Sequence, residues 1–153
     1  WKHCRPTPGI RGPQPLRRHG TGKRKGGGVT TITLTVPISK LLSANDRGTS
    51  WQAKAAKTKW IRNAAHCLTI AEHGGKPPLG RCHLTVYIAA PTNRRRDAAN
   101  LSPTIKAGLD GIVSGGLLED DSDAHLVGPD PRPDTERSER GTYRFRFDFQ
   151  EIS

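Results

Sequence analysis

Methionine is absent from this chain, and aromatic residues make up only 5% of its 153 positions. Apart from Trp1 the aromatics all lie after residue 50, so a core of any size is expected from the later part of the chain. With no methionine even at position 1, the first residue reads as a processed or misassigned start. No stretch of seven or more apolar residues follows the basic N-terminal residues, which argues against a secretory signal, and nothing approaches the length of a membrane span. A cytoplasmic location is therefore expected. Cysteine is scarce as well: Cys4, Cys67 and Cys82 form no Cys-x-x-Cys pair. An odd count in a reducing compartment favours free thiols, and zinc held by His66-Cys67 and Cys82-His83 is the alternative.

Acidic residues are missing from the first 28 positions, which carry +8 of the formal net charge of +11 through Lys2, Arg5, Arg11, Arg17, Arg18, Lys23, Arg24 and Lys25. The same stretch has four prolines, seven glycines and no periodic apolar pattern. Such a composition cannot bury enough apolar surface to offset chain entropy, so residues 1–28 are expected to form a disordered basic tail. Two origins stay open for it: a native arm, or an over-extended reading frame whose natural start is Val29, the residue a GTG codon encodes. Gly20-Thr21-Gly22-Lys23 lacks the full spacing of a phosphate-binding loop and follows no strand. A basic balance favours an anionic partner such as nucleic acid, through attraction and counterion release.

Residues 29–153 are one domain's worth and become regular. Ile32, Leu34 and Val36 alternate with threonines in a half-buried strand that stops at Pro37. After an Asn45-Asp46-Arg47-Gly48 loop, residues 51–72 read as a long helix. Trp51, Ala55, Ile61, Ala64, Ala65 and Leu68 supply its apolar positions, and Gly74-Gly75 ends it. Leu84, Val86 and Ile88 mark a second strand. Ser102-Pro103 is expected to start a second helix with serine as its N-cap, and Ile105, Leu109, Ile112 and Val113 form one apolar face up to Gly115-Gly116. Tyr143, Phe145, Phe147 and Phe149 alternate with Arg144, Arg146 and Asp148 in a last strand with an aromatic face. Strand, helix, strand, helix, strand predicts an α+β domain with a mixed β-sheet and two main helices.

Candidate chemistry concentrates between residues 94 and 123. Arg94-Arg95-Arg96-Asp97-Ala98-Ala99-Asn100-Leu101 precedes the second helix, Lys106 and Asp110 are one turn apart on it, and Glu119-Asp120-Asp121 follows it. Such a set can hold a phosphodiester with its cations and Mg²⁺ with its oxygens, water and phosphate completing the octahedron. The same residues also fit a surface helix pair followed by a solvated acidic turn. Lys54, Lys57, Lys59 and Arg62 on the first helix, with Arg94, Arg95 and Arg96, are expected to contact phosphates rather than base edges, or else to form a solvated face. Trp51 and Trp60 are candidates to stack on exposed bases, with core packing favoured for at least one. His125, beside the acidic turn, is a possible proton carrier but reads more simply as structural. A general RNA-binding module is disfavoured because no aromatic single-strand platform motif can be read.

The run Arg-Arg-Arg-Asp-x-x-Asn-Leu at 94–101, then Lys106, Asp110-Gly111-Ile112-Val113 and Gly116-Leu117-Leu118-Glu119-Asp120-Asp121, resembles the RusA family of Holliday junction resolvases, particularly its phage-borne members. The likeness takes in the first strand, the Asn45-Asp46-Arg47 loop, the Trp51 helix and Leu126-Val127-Gly128, and covers about residues 29–150. It implies a Mg²⁺-dependent homodimer that binds four-way DNA junctions and makes paired nicks during recombination and repair. By motif, Asp97 matches the family's first aspartate, Lys106 its lysine and Asp121 its distal aspartate, with Asp110 and Asp120 as accompanying acids. Asp97, Lys106 and Asp121 are thus the implied catalytic residues, and Asp97, Asn100, Asp110, Asp120 and Asp121 the implied metal ligands. The chain departs from the pattern at Ala99, where a second aspartate is expected, and in three extra residues between Asn100 and Lys106. Asn100, Asp110 and Asp123 are the candidates to supply the missing oxygen; without one, the resemblance implies a binder of junctions that does not cut them.

Overall fold

The computed structural model describes residues 28–93 and 98–152. The basic tail up to residue 27 lies outside them, as do Arg94, Arg95, Arg96 and Asp97. The described elements are β1 (Val29–Pro37), α1 (Trp51–His73), β2 (Cys82–Ala89), α2 (Ser102–Ser114), β3 (Leu126–Pro133) and β4 (Thr142–Glu151), with short 3-10 turns at Ile38–Lys40 and Ala98–Leu101. The four strands form one sheet in the order β1-β4-β2-β3. β4 is antiparallel to both β1 and β2, whereas β2 and β3 run parallel with α2 in their crossover. The domain is therefore α+β with a mixed sheet and two helices, as predicted.

Strand alternation sends one side chain in two to the helix-covered face. Ile32, Leu34 and Val36, Leu84 and Val86, and Phe145, Phe147 and Phe149 are fully or almost fully buried there with Ile61, Ala65, Ile105 and Ile112 of the helices. Burial of each large side chain contributes about 1.5–3 kcal/mol, so the three phenylalanines of central β4 are major contributors. α2 approaches closely because it carries glycines: a Cβ on Gly108 would lie 2.9 Å from the Phe147 ring, and one on Gly111 only 2.3 Å from the Arg62 carbonyl oxygen. The opposite face is polar. There the Arg146 guanidinium sits 4.4 Å above the Tyr87 ring, and Arg144 pairs with Asp134 and Glu136 at 3.5 and 3.4 Å.

Four features depart from expectation. β3 is a fourth strand where three were expected; Pro129, Pro131 and Pro133 hide it from a sequence pattern. Proline cannot donate to a ladder, but an edge strand pairs on one side only and tolerates the loss. The β2–β3 register shifts between His83/Val127 and Thr85/Asp130, and Gly128, with φ of 106°, sits at the shift. A Cβ there would meet the Leu84 carbonyl oxygen at 2.7 Å. Ser102 is not an N-cap: the 3-10 turn runs straight into α2, Leu101 is the cap, and no side chain caps the helix. α1 buries Ile61, Ala65, Thr69 and His73, whereas Trp51 is 75% exposed and Ala55 is also exposed. The first turns of α1 therefore project beyond the core, and of the two tryptophans only Trp60 packs against it. Finally, Cys82 is a buried free thiol but Cys67 is disulfide-bonded, so the expectation of free thiols does not hold for Cys67.

Candidate functional site

Two backbone anchors set α2 in place at its start. Buried Thr104 donates its hydroxyl to the Leu42 carbonyl at 2.7 Å and accepts from the Leu42 N–H at 2.9 Å. One turn earlier, the Asn100 carbonyl accepts from the Ala44 N–H at 2.8 Å. Past α2, Leu117 and Leu118 are buried, and the Leu117 carbonyl accepts from the Leu79 N–H at 2.8 Å. The chain then turns at Ser122, whose carbonyl accepts from the His125 and Leu126 N–H groups, both at 2.9 Å, and enters β3. Pinned on both sides, the acidic loop brings Asp121 back over the second turn of α2.

There the Lys106 ammonium bridges two carboxylates. It lies 3.1 Å from Asp110, one helical turn along, and donates a short hydrogen bond to Asp121. The Asp121 N–H in turn donates to the Asp120 carboxylate at 2.8 Å. Hydrogen bonding to Lys106 is the largest cause holding the Asp121 carboxyl below the usual range. The same bond, followed by that to Asp110, raises the Lys106 ammonium above its ordinary value. Both ions of the pair are thus stabilised at neutral pH, although the Lys106 side chain is 61% exposed and the attraction correspondingly screened.

The cluster borders a groove of about 310 Å³. Ser102, Lys106 and Asp121 give it a polar edge, and Leu126, Pro129 and Pro131 of the β3 segment form an apolar wall. That wall could not be read from the sequence, since it depends on the proline-bearing strand that the pattern concealed.

Of the expected site residues, the structure gathers Lys106, Asp110 and Asp121, with Asp120 in contact through the Asp121 backbone. Asp97 lies outside the described residues, with Arg94, Arg95 and Arg96. Asn100 is placed in the 3-10 turn leading into α2, and Asp123 is exposed in the turn between Asp121 and β3. Lys54, Lys57, Lys59 and Arg62 all lie on α1, and none of them has an ion-pair partner among the described residues.

No group of three or more His, Cys, Asp or Glu side chains among the described residues could hold a metal ion. The donor set nevertheless suits Mg²⁺ in its common mode. Two hard carboxylates, Asp110 and Asp121, already close on one cation, the Lys106 ammonium, and Mg²⁺ is commonly held by one or two carboxylates plus waters and substrate phosphate oxygens.

No protein-family model matches the chain, and no curated protein sequence matches it. Among the described residues no helix is long and apolar enough to cross a membrane.

Proposed function

We propose that this protein is a Mg²⁺-dependent, structure-selective endodeoxyribonuclease of the RusA type, which resolves Holliday junctions by paired phosphodiester nicks. The observation that carries the proposal is the Lys106 ammonium held between the Asp110 and Asp121 carboxylates at the mouth of an open groove. The α+β architecture agrees with it, as does the concentration of cations without acid partners on α1. The resemblance at residues 94–121 supplies the family and, with it, the homodimer and the four-way junction.

The side chains at the groove account for the chemistry. A DNA phosphate in the groove competes with the two carboxylates for Lys106, whose ammonium then steadies the phosphate and offsets charge that builds up in the transition state. Asp110 and Asp121 would hold Mg²⁺, with Asp97, Asn100 and Asp120 as further ligands by motif. When bound there, Mg²⁺ would supply Lewis acidity toward a phosphoryl oxygen and a lowered pKa for its bound water. The wall of Leu126, Pro129 and Pro131 forms the apolar side of the groove opposite these charges. Lys54, Lys57, Lys59 and Arg62, with Arg94, Arg95 and Arg96, contact backbone phosphates, so selection follows the shape of the junction rather than base sequence. Two copies related by a two-fold axis present two such grooves to opposed strands.

A second reading is a junction-binding protein of the same fold with weak or no catalysis. It is favoured by Ala99 in place of an aspartate and by the presence of only two carboxylates around Lys106 among the described residues. Incubation with four-way junction DNA, with Mg²⁺ or with chelator, separates the two: metal-dependent nicks support the nuclease, and tight binding without nicks supports the binder.

A further inference from the structure

Along α2, Ser102, Lys106, Asp110 and Ser114 recur every fourth residue and form one stripe, solvent-facing apart from half-buried Asp110. Ser114 is two turns, about 12 Å of helix, beyond Lys106. At that end the stripe meets α1 in a second groove, of about 650 Å³, lined by Lys59, Arg62, Asn63, His66 and Ser114. It contains two cations and no carboxylate.

The hydrogen bonds of Ser114 place a proton on His66 Nδ1. Ser114 Oγ spends its single proton on the Gly111 carbonyl, 2.9 Å away. It must therefore accept from His66 Nδ1, also at 2.9 Å. A neutral His66 then has its proton on Nδ1 and a bare lone pair on Nε2, which repels an anion. A protonated one offers Nε2–H in a groove whose lining also includes Lys59 and Arg62 of its own helix; on α2 the nearest charged residue in sequence to Ser114 is Asp110, one turn earlier.

We infer that the α1–α2 groove is a second DNA-phosphate subsite, in which Lys59, Arg62 and imidazolium His66 hold a backbone phosphate away from the Lys106 cluster. This deepens the nucleic-acid proposal above and rests on it. Lys106 and Ser114 are about 12 Å apart along the helix, so one strand running along the α2 stripe spans both sites within a few nucleotides. DNA entry there is coupled to proton uptake at His66, because only the imidazolium is a donor on that side.

The test uses the full chain and a short DNA duplex as probe, with the His66 ring nitrogens followed by NMR. Duplex addition is expected to move Nε2 to its imidazolium position. The double substitution Lys59→Gln, Arg62→Gln is expected to weaken duplex binding roughly tenfold and to flatten the log K against log salt slope by about one unit. Both side chains are exposed, and the NMR spectrum of the variant checks that it is folded. A His66 signal unmoved while the duplex binds, or an unchanged slope in the folded double variant, overturns the subsite. Junction nicking measured on the same protein keeps the two proposals apart: nicks without a His66 response sink the subsite alone, and a His66 response without nicks supports the subsite and counts against the nuclease.

Discussion

Lys106 pairs at once with Asp110 on its own helix and with Asp121 on the following loop, and the two contacts differ in how visible they are beforehand. The i,i+4 partner follows from helical spacing alone. The long-range one depends on where the 115–125 loop is pinned, which no local pattern encodes; composition offered Asp121 only within the Glu119-Asp120-Asp121 run, and the family resemblance singled it out. Asp121→Asn keeps the shape but removes the charge. It is expected to lower nicking by at least about 100-fold while leaving junction affinity within roughly twofold; equal loss of both would mean that Asp121 is structural. Because hydrogen bonding to Lys106 depresses the Asp121 carboxyl, the pair's contribution is present above the unfolded carboxylate value and fades as pH falls through the lower folded one. A carboxyl-detected NMR titration should find Asp121 below the ordinary range in the wild type and returned toward it in Lys106→Met; an unshifted wild-type carboxyl would contradict the pairing. Thr104 is a purely structural counterpart. Thr104→Val leaves the Leu42 N–H and carbonyl without their buried partner, and should cost about 2–3 kcal/mol in denaturant unfolding.

Among the elements, the most legible were those with strong periodicity. β1 and β4 alternate cleanly because one face meets the helices and the other does not, and α2 stops at the Gly115-Gly116 pair that marks its end in the sequence. β3 was illegible because its alternate prolines make it look like a loop, although an edge position makes them acceptable. The apolar stripe of α1 misled in its first turns for a related reason: periodicity reports a face, not how far the covering sheet extends. The helix crossing was also hidden, since Gly111 reads in isolation as a weak helix residue. Its role is closeness to Arg62 and Ala65 of α1, where a Cβ would lie 2.3 and 2.8 Å from their atoms. Gly111→Ala gains about 1 kcal/mol in helix propensity, but the backbone oxygen of Arg62 cannot yield without moving α1. The overpacking cost of about 1–3 kcal/mol should therefore prevail, and the Tm should fall. A Tm that rises instead would show that the two helices are less tightly apposed than described.

At the scale of the whole molecule, α1 carries a group of cations without ion-pair partners among the described residues, Lys54, Lys57, Lys59 and Arg62, and the Lys106 cluster with its two carboxylates lies on the exposed stripe of the neighbouring α2. On the proposed function, one surface would grip a DNA backbone through α1 and handle metal and phosphate at the Lys106 cluster. The arginines on the opposite sheet face, Arg132, Arg144 and Arg146, are already matched to acids, so DNA affinity should depend on the α1 side. Replacing Arg144 and Arg146 by glutamine should leave the salt dependence of junction binding unchanged, whereas a loss comparable to that of the α1 variant would place the binding face on the open sheet. The most direct test of the central claim is incubation of the full-length protein with a labelled synthetic four-way junction, in Mg²⁺ and in chelator, beside linear duplex of the same sequence. The account predicts symmetric nicks near the branch point, only on the junction and only with Mg²⁺. An intact junction in Mg²⁺, under conditions where the protein is bound to it, would contradict the nuclease assignment and leave a protein that recognises branched DNA without cutting it.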